Sequence, residues 1–242
     1  MKQARLFATG LLALAIILLV IAFVRGDPVG GVISSNSTDA GRTVTPGSRT
    51  DDGGTFTTFI LTATQQNYAW KAYVGNVSGS LVLDDSNNVS IYEWALTSTA
   101  GQVLVSRSGT LSWGALNCSS DAVIEAENAA LNMGDGDVDN INNTLNYTDH
   151  KAFTIAGNTI NADSCPSNAW FVSDAAQTVD SNAAFQQIAL NDSSSNLIYA
   201  SEIETAATGY NGEKYDFQLL LPDDDTVSQI TPYYFYVELL TS

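Results

Sequence analysis

The chain has 242 residues and a formal net charge of −17, with 45% hydrophobic and 14% charged residues. This hydrophobic content excludes a wholly disordered chain. Because 9 basic residues face 26 acidic ones, we expect no nucleic-acid partner. One histidine and two cysteines exclude zinc fingers and dense disulfide scaffolds.

An uncharged hydrophobic run of 19 residues occupies positions 6–24. As a helix it would be about 29 Å long, close to the thickness of a bilayer's hydrocarbon core. Lys2 and Arg5 precede it, so the positive-inside rule places residues 1–5 in the cytoplasm and exports the rest. The sequence after Phe23 is a poor cleavage site, which favours an uncleaved signal-anchor over a cleaved signal peptide. A hydrophobic helix in the core of a filament is a third alternative.

The exported part divides into two regions. Residues 25–54 are rich in Gly, Ser, Thr and Asp without a hydrophobic period, which predicts a flexible stalk. Residues 55–242 carry short alternating runs, which predict one ectodomain. After residue 26 there are 6 basic and 26 acidic residues, a balance of −20, so the surface should attract cations or basic partners.

Alternation with a period of two predicts a mainly β ectodomain. Tyr215, Phe217 and Leu219 alternate with Asp216 and Gln218, the pattern of a half-buried antiparallel strand. Many short strands separated by turn-forming residues favour an antiparallel β-sandwich, Ig-like or jelly-roll-like. The predicted strands are residues 56–64, 68–74, 80–83, 89–96, 102–106, 110–113, 152–155, 170–173, 185–190, 196–200, 215–221 and 233–240.

One short helix is predicted from Asp121 to Asn132, because Ser119 and Ser120 can cap its start and Gly134 can end it. Residues 83–92 also align without gaps to residues 190–199, with five of ten positions identical. Both stretches predict a hairpin. Duplication and a shared turn chemistry are alternative explanations.

Cys118 and Cys165 are predicted to form a disulfide, because the exported domain reaches an oxidising space. It would close a loop of about 48 residues and stabilise the fold by about 4 kcal/mol. A catalytic thiol is the alternative, and His150 is the only imidazole in the chain that could assist it.

Seven Asn-x-Ser/Thr sequons predict N-glycosylation at the surface, where about four are expected by chance. An Asn-rich loop composition is the alternative explanation. The seven asparagines are Asn36, Asn76, Asn88, Asn117, Asn142, Asn146 and Asn191.

Asp135, Asp137 and Asp139 resemble the opening of a calcium-binding loop, since carboxylates at alternate positions can converge on one hard cation. The rest of the EF-hand pattern is missing, because Asn140 and Asn146 stand where Gly and Glu are required. A solvated acidic loop is therefore the default interpretation, and calcium is the one candidate cofactor.

Two runs suggest an assembly surface. Residues 233–240 place large side chains on both faces of a strand. The face with Tyr234 and Tyr236 implies a cover by a loop, a glycan, a neighbouring domain or another subunit, and the alternative is that these tyrosines simply face water. Residues 56–64, which include Phe56 and Phe59, are β-prone. They are expected to complete the domain's own sheet, and the alternative is that they extend a neighbour's sheet by strand addition.

A sugar-binding platform and a glycoside hydrolase are further alternatives. Strand tryptophans more often pack in a core than stack on sugars, and nothing in the sequence selects a catalytic pair among the scattered carboxylates. We therefore expect no enzyme. The residues concerned are Trp70, Trp94, Trp113, Trp170, Glu93, Glu125, Glu202 and Glu238.

Several stretches carry a resemblance: residues 70–79 (WKAYVGNVSG), Cys118, Cys165-Pro166, residues 215–218 (YDFQ) and the closing YYFYVEL run. Together they resemble uncharacterised archaeal cell-surface proteins with an N-terminal hydrophobic segment and a β-rich ectodomain. The resemblance implies an archaeal source and a location outside the cell, and it implies no activity.

The sequence thus predicts a membrane-anchored extracellular glycoprotein with a structural or adhesive role. It would be an envelope component or a subunit of a pilus-like filament, and its partners would be copies of itself or other surface proteins. A membrane-anchored module that binds glycan or calcium is the alternative, and a glycoside hydrolase is a remote one.

Overall fold

The computed structural model describes residues 27–43, 45–96, 99–224 and 230–240. The predicted tail 1–5 and hydrophobic run 6–24 lie outside these ranges, so the transmembrane-type helix stays a prediction. Of the helices in these ranges, none combines the length and the apolar character needed to cross a bilayer. As the alternation predicts, these ranges are mainly antiparallel β structure with few helices.

The elements are short, as in the predicted pattern. The strands are β1 (Val29–Gly30), β2 (Trp70–Gly75), β3 (Ser80–Asp84), β4 (Ser90–Ala95), β5 (Gly101–Ser106), β6 (Asn117–Cys118), β7 (Phe153–Ile155), β8 (Asn158–Ile160), β9 (Ser167–Ala169), β10 (Gln186–Asn191), β11 (Leu197–Glu202), β12 (Ala207–Thr208), β13 (Lys214–Tyr215), β14 (Phe217–Pro222) and β15 (Tyr234–Leu239). The helices are α1 (Asp121–Ala130) and α2 (Ile141–Thr144).

A seven-stranded antiparallel sheet forms the centre of the domain, in the order β1-β15-β5-β11-β10-β6, with β9 also paired to β10. Its middle strands β5, β10 and β11 are buried along almost their whole length. Successive side chains of a strand point to opposite faces. Val103 and Val105 therefore enter one core, and Leu104 between them enters a second core.

Different layers cover the two faces. On the first face, Leu219 of β14 and Ile124 and Ile141 of the two helices pack against the sheet. On the second face, Ile155 and Ile160 of the β7–β8 hairpin pack against the sheet. The β-rich class is thus confirmed, whereas the sandwich is not: the flanking β14–β2 and β7–β8 sheets have only two strands each.

Three predicted strands do not form. Residues 56–64 and 110–113 lie outside helix and strand, and in residues 170–173 only Val172 makes an isolated bridge, to Ala175. β-propensity reflects packing against a neighbouring strand more than a preference of the backbone itself. These runs have the composition of a strand, but no neighbouring strand pairs with them among the described residues.

The predicted stalk, residues 25–54, needs correction at its start. Val29 and Gly30 pair with β15 at the edge of the sheet, and the N–H of Gly31 donates to the Phe235 carbonyl at 2.8 Å. This pairing comes from backbone groups, so a hydrophobic pattern could not predict it. The described residues from 32 to 67 then form neither helix nor strand and are almost all exposed. They form a long loop between β1 and β2.

The predicted helix is present as α1, which begins at Asp121 and ends at Ala130, two residues before the predicted Asn132. Its capping differs from the prediction: Ser120 is the N-cap residue but makes no side-chain capping hydrogen bond, and Leu131 rather than Gly134 is the C-cap residue. The one-turn α2 is not predicted by sequence, because four residues are too few for a helical period. Asn140 caps it by accepting the N–H of Asn143 at 2.9 Å.

Candidate functional site

The β3–β4 hairpin pairs with no other strand among the described residues, and every residue of β4 is exposed. Leu81 lies opposite Trp94 and Leu83 opposite Tyr92, so these four side chains share one face. The rings of Tyr92 and Trp94 meet edge to face with their centroids 4.6 Å apart. The hairpin therefore presents an apolar face and two backbone edges without a paired strand.

Asp85 builds the turn of this hairpin. Its Oδ1 accepts the N–H of Val89 at 3.0 Å and of Asn87 at 2.8 Å, and these two bonds lower the pKa of Asp85. Asn88 adopts a left-handed backbone with φ of 60°, which Asn tolerates better than most residues. The turn is thus fixed by its own hydrogen bonds.

The aligned hairpin β10–β11 repeats this turn. Asp192 Oδ1 accepts the N–H groups of Ser194 and Asn196, each at 2.9 Å, and Ser195 has a φ of 61°. The two hairpins differ in their surroundings. In the described ranges, β10–β11 has β5 on one edge and β6 and β9 on the other, whereas β3–β4 has no neighbour on either edge.

Residues 55–67 (TFTTFILTATQQN), called the neutral segment below, contain no charged residue. Phe56, Ile60 and Leu61 are 95%, 96% and 88% exposed. Single exposed apolar residues are ordinary, but a cluster of them in a stretch without charge is typical of an interaction site. This segment is the most apolar part of the long loop.

The neutral segment is held at its C-terminal end. Asn67 Nδ2 donates to Asp139 Oδ2 at 2.5 Å, and Trp70 Nε1 donates to the Asp139 carbonyl at 2.6 Å. Gln66 Oε1 accepts the N–H of Arg42 at 3.2 Å, which brings the two sides of the loop together. The segment thus joins the domain at the start of β2, whereas the hairpin follows the end of β2.

The predicted assembly residues differ in exposure. Phe56, Phe59 and Tyr234 are exposed, and the guanidinium of Arg49 lies 5.6 Å from the centre of the Phe59 ring. Tyr236 instead packs within its own chain: its ring centroid lies 5.2 Å from that of Trp113, and its hydroxyl donates to the Ser108 carbonyl at 3.2 Å. The cover that the sequence requires for Tyr236 is therefore intramolecular.

The acidic loop uses two of its carboxylates internally. Asp137 Oδ2 accepts the N–H of Gly134, and Asp139 accepts from Asn67. Asp135 is exposed. Within the described ranges, no three His, Cys, Asp or Glu side chains are grouped so that they could hold a metal. Calcium binding by Asp135, Asp137 and Asp139 therefore rests on the sequence pattern alone and stays a prediction.

The sequon asparagines also differ. Asn142 and Asn191 are half-buried and hydrogen-bonded: Asn142 Oδ1 accepts from Asn128 at 2.7 Å, and Asn191 Nδ2 donates to the Asp192 carbonyl at 2.9 Å. Because a glycan is attached to Nδ2, the hydrogen bond that Asn191 Nδ2 donates disfavours glycosylation at Asn191. The exposed sequon asparagines are Asn36, Asn76, Asn88, Asn117 and Asn146. Glycosylation of these sites stays a prediction.

The disulfide between Cys118 and Cys165 is present, so the thiol alternative does not apply. His150, which is fully buried, accepts the N–H groups of Ser164 and Cys165 at its Nε2, at 3.2 and 3.0 Å. Its Nδ1 lies 2.7 Å from the Lys151 carbonyl and donates to it. This pattern requires the neutral Nδ1–H tautomer. His150 therefore connects backbone segments next to the disulfide.

Sheet register brings two of the scattered carboxylates together. Gln102 lies between Glu202 on one neighbouring strand and Glu238 on the other. Burial raises the pKa of Glu202, although Lys151 lies 3.6 Å from its carboxylate. Glu238 is only 3% exposed, and its Oε2 accepts the N–H of Ala156 at 2.8 Å. Sequence spacing could not predict that Glu202, Gln102 and Glu238 lie side by side on neighbouring strands. The carboxylate of Glu238 has almost no access to solvent.

The tryptophans do not form a shared platform. Trp70, Trp113 and Trp170 are half-buried and pack against the two cores, whereas Trp94 is 49% exposed. Glu93 and Glu125 are exposed on the hairpin and on α1. The sequence could not separate Trp94 from the others, because the alternation is the same in a buried and an exposed hairpin.

Two cavities in the described part of the chain hold little chemistry. One is lined by Gly30, Gly31 and residues 233–236 beside β1. The other contains the ion pair of Arg107 and Glu127, with N–O distances of 2.6 and 2.7 Å.

No family model, curated protein or solved structure matches the chain. The proposals below therefore rest on its own residues.

Proposed function

We propose that the protein is an extracellular structural component of the cell surface, held in the membrane by residues 6–24. In this proposal its folded domains associate with copies of themselves or with other surface proteins, in an envelope layer or a pilus-like filament, with a structural or adhesive role. The archaeal resemblance, the Ig-like or jelly-roll-like sandwich and glycosylation at the exposed sequons belong to the same proposal.

The observation that carries the proposal is the position of β1. Only residues 25–28 separate the hydrophobic run from Val29, which is paired to β15. Four extended residues span at most about 14 Å. The folded domain would therefore sit directly on its hydrophobic helix. This close attachment suits a layer or filament, in which neighbouring domains touch, better than it suits a binding head on a long stalk.

Three further features support this location and role. The Cys118–Cys165 disulfide is typical of oxidising compartments. A balance of −20 after residue 26 keeps a crowded surface protein from non-specific aggregation. In the described ranges, the exposed apolar surface is concentrated in the neutral segment and the β3–β4 hairpin, where it is available for contacts between molecules.

Electron microscopy of the purified full-length chain tests the proposed role. We expect regular sheets or filaments when detergent is removed across a concentration series. Dispersed single particles at every concentration would contradict a self-assembling structural protein.

Membrane fractionation tests the anchor separately. Two lysines in the run, Leu14→Lys with Leu18→Lys, should move the protein out of the membrane fraction, because each charge at a helix centre costs about 3 kcal/mol on insertion scales. The matched variant Leu14→Ala with Leu18→Ala should remain in the membrane. Equal partitioning of the two variants would argue against an anchor at residues 6–24.

A glycan-binding module is the second candidate, because Tyr92 and Trp94 form an exposed aromatic pair. Titration with soluble mannose- and glucose-based oligosaccharides, followed by tryptophan fluorescence, tests it. A saturable change that disappears in Trp94→Ala would support this candidate. A flat titration would remove these sugars as ligands.

A further inference from the structure

The β3–β4 hairpin has the same turn geometry as the β10–β11 hairpin, but it lacks flanking strands in the described ranges. A two-stranded hairpin is marginally stable alone, and stability requires further strands or a packed face. β10–β11 has flanking strands on both edges, and β3–β4 has none in the described ranges. Its backbone edges and the face with Tyr92 and Trp94 are therefore suited to accept an additional strand.

The chain also contains a strand-forming stretch that no strand of the described ranges pairs with. In the neutral segment, Phe59 and Leu61 point to one face of an extended chain, and Phe56 and Ile60 to the other. An added strand of this sequence could continue the apolar face of Tyr92 and Trp94 with Phe59 and Leu61. Its length exceeds the six residues of β4.

Charge identifies the occupant as another copy of this chain. Copies with a net charge of −17 repel each other at most surfaces. The neutral segment has no charge, and β4 has a single one, Glu93. A contact between these two elements therefore adds little repulsion. A basic partner would instead be expected to bind the acidic surface elsewhere.

In the described structure the neutral segment does not pair with β4 of its own molecule. The neutral segment joins the start of β2 through Asn67, and the hairpin begins after the end of β2, about 17 Å away along a six-residue strand. Donor and acceptor thus lie at opposite ends of one strand. A head-to-tail contact of this kind generates an open chain of molecules where the rotation between neighbours does not close a ring.

We propose that the neutral segment of one molecule adds as a strand to β4 of the next molecule. This inference rests on the proposed function, since it specifies the contact through which the surface protein would assemble. The acceptor is β4 rather than β3, because all six residues of β4 are exposed whereas Ser80 and Leu81 of β3 are half-buried.

Cysteine cross-linking tests the contact, because both native cysteines are in the disulfide. Full-length Ile60→Cys protein is mixed with Ile91→Cys protein under mild oxidation, with Thr58→Cys and Thr62→Cys used to scan the register. We expect a mixed disulfide between two chains, identified by mass spectrometry, at least tenfold more abundant than with Ser194→Cys, an exposed loop control. Cross-linking at every register no stronger than with Ser194→Cys would overturn the proposal.

A charge placed in the contact tests its role in assembly. Ile60→Asp adds a second negative charge to a contact that already contains Glu93, and it should reduce the assembled fraction at least tenfold. Ile230→Asp should leave the assembled fraction unchanged. The two isoleucines are matched, at 96% and 92% exposure, so both variants should keep the circular dichroism spectrum of the native protein. If wild type and Ile60→Asp assemble equally, this contact is wrong while the structural role stands. If wild type itself never assembles, the proposed function fails.

Discussion

At the residue scale, His150 and Asp192 each hold together backbone segments through buried hydrogen bonds. The sequence indicates that Asp192 belongs to a turn, because Asn, Asp and Ser surround it. It does not indicate that the turn is buried, since burial depends on strands distant in the chain. Likewise, a single histidine has no pattern that would distinguish a buried hydrogen-bonding role from an exposed one.

His150→Ala should reduce the free energy of unfolding by about 2–4 kcal/mol, because the substitution leaves the N–H groups of Ser164 and Cys165 without their acceptor and opens a cavity. Urea unfolding measures this loss. The exposed neighbour Asp149→Asn serves as control and should change stability by less than about 0.5 kcal/mol. A His150→Ala protein as stable as the control would show that these bonds contribute nothing net.

Asp192 should make stability depend on acid pH. Burial acts to raise its pKa, but hydrogen bonds from Asn196, Ser112 and Ser194 outweigh burial and lower the pKa below its ordinary value. A lowered pKa in the folded state means that the stabilisation is complete above about pH 4 and is lost as the pH falls through the folded pKa. Asp192→Asn should therefore lower Tm at pH 7.

The Tm difference between wild type and Asp192→Asn should shrink as the pH is reduced below about 4. Thermal unfolding between pH 2.5 and 7 measures it. Asp149→Asn, which removes an exposed carboxylate, is the matched control and should show little difference at any pH. A difference that is constant across the pH range would contradict the assigned role of the Asp192 charge.

At the element scale, the sequence predicts the two aligned hairpins and the position of α1, because the signals are local: turn residues and alternation for the hairpins, and a helix-prone stretch after Ser120 for α1. It predicts the pairing between elements poorly. The partner of β1, the two-sided burial of β5 and the isolation of β3–β4 all depend on contacts between distant residues. Residues 56–64 show this most clearly, since their composition is that of a strand and no strand of the described ranges pairs with them.

The disulfide should contribute about 4 kcal/mol, because it closes a loop that contains both helices and the β7–β8 hairpin. The double variant Cys118→Ser with Cys165→Ser should unfold at lower urea by a corresponding amount. Adding reductant should destabilise wild type to a similar degree and leave the double variant unaffected. A wild type that is indifferent to reductant would contradict this contribution.

β1 should be released by Gly31→Pro, which removes the N–H that donates to the Phe235 carbonyl. Hydrogen exchange at the β15 amides that face β1 should become about five- to tenfold faster, since one net hydrogen bond contributes about 1 kcal/mol. Gly31→Ala keeps the donor, and a Cβ there would meet its nearest atoms at 3.5 Å, so it is the matched control. Equal exchange rates in both variants would mean that the Gly31 hydrogen bond does not hold β1 on β15.

At the scale of the whole molecule, assembly should strengthen with salt. Copies with a net charge of −17 repel each other, and raising the ionic strength from 0.01 to 0.5 M screens that repulsion. The proposed contact contains almost no charge, so screening by salt should weaken the contact itself very little. Sedimentation velocity should show larger assemblies at high salt. Dissociation by salt would instead indicate that ion pairs hold the copies together.

Surface labelling in intact cells tests whether the folded domain lies outside the cell. The full-length chain with Ser194→Cys, in an exposed loop between β10 and β11, is treated in intact cells with a maleimide that cannot cross membranes. We expect an extracellular domain to be labelled in intact cells as fully as after lysis, with Cys118 and Cys165 unlabelled in both. Labelling only after lysis would place the domain inside the cell.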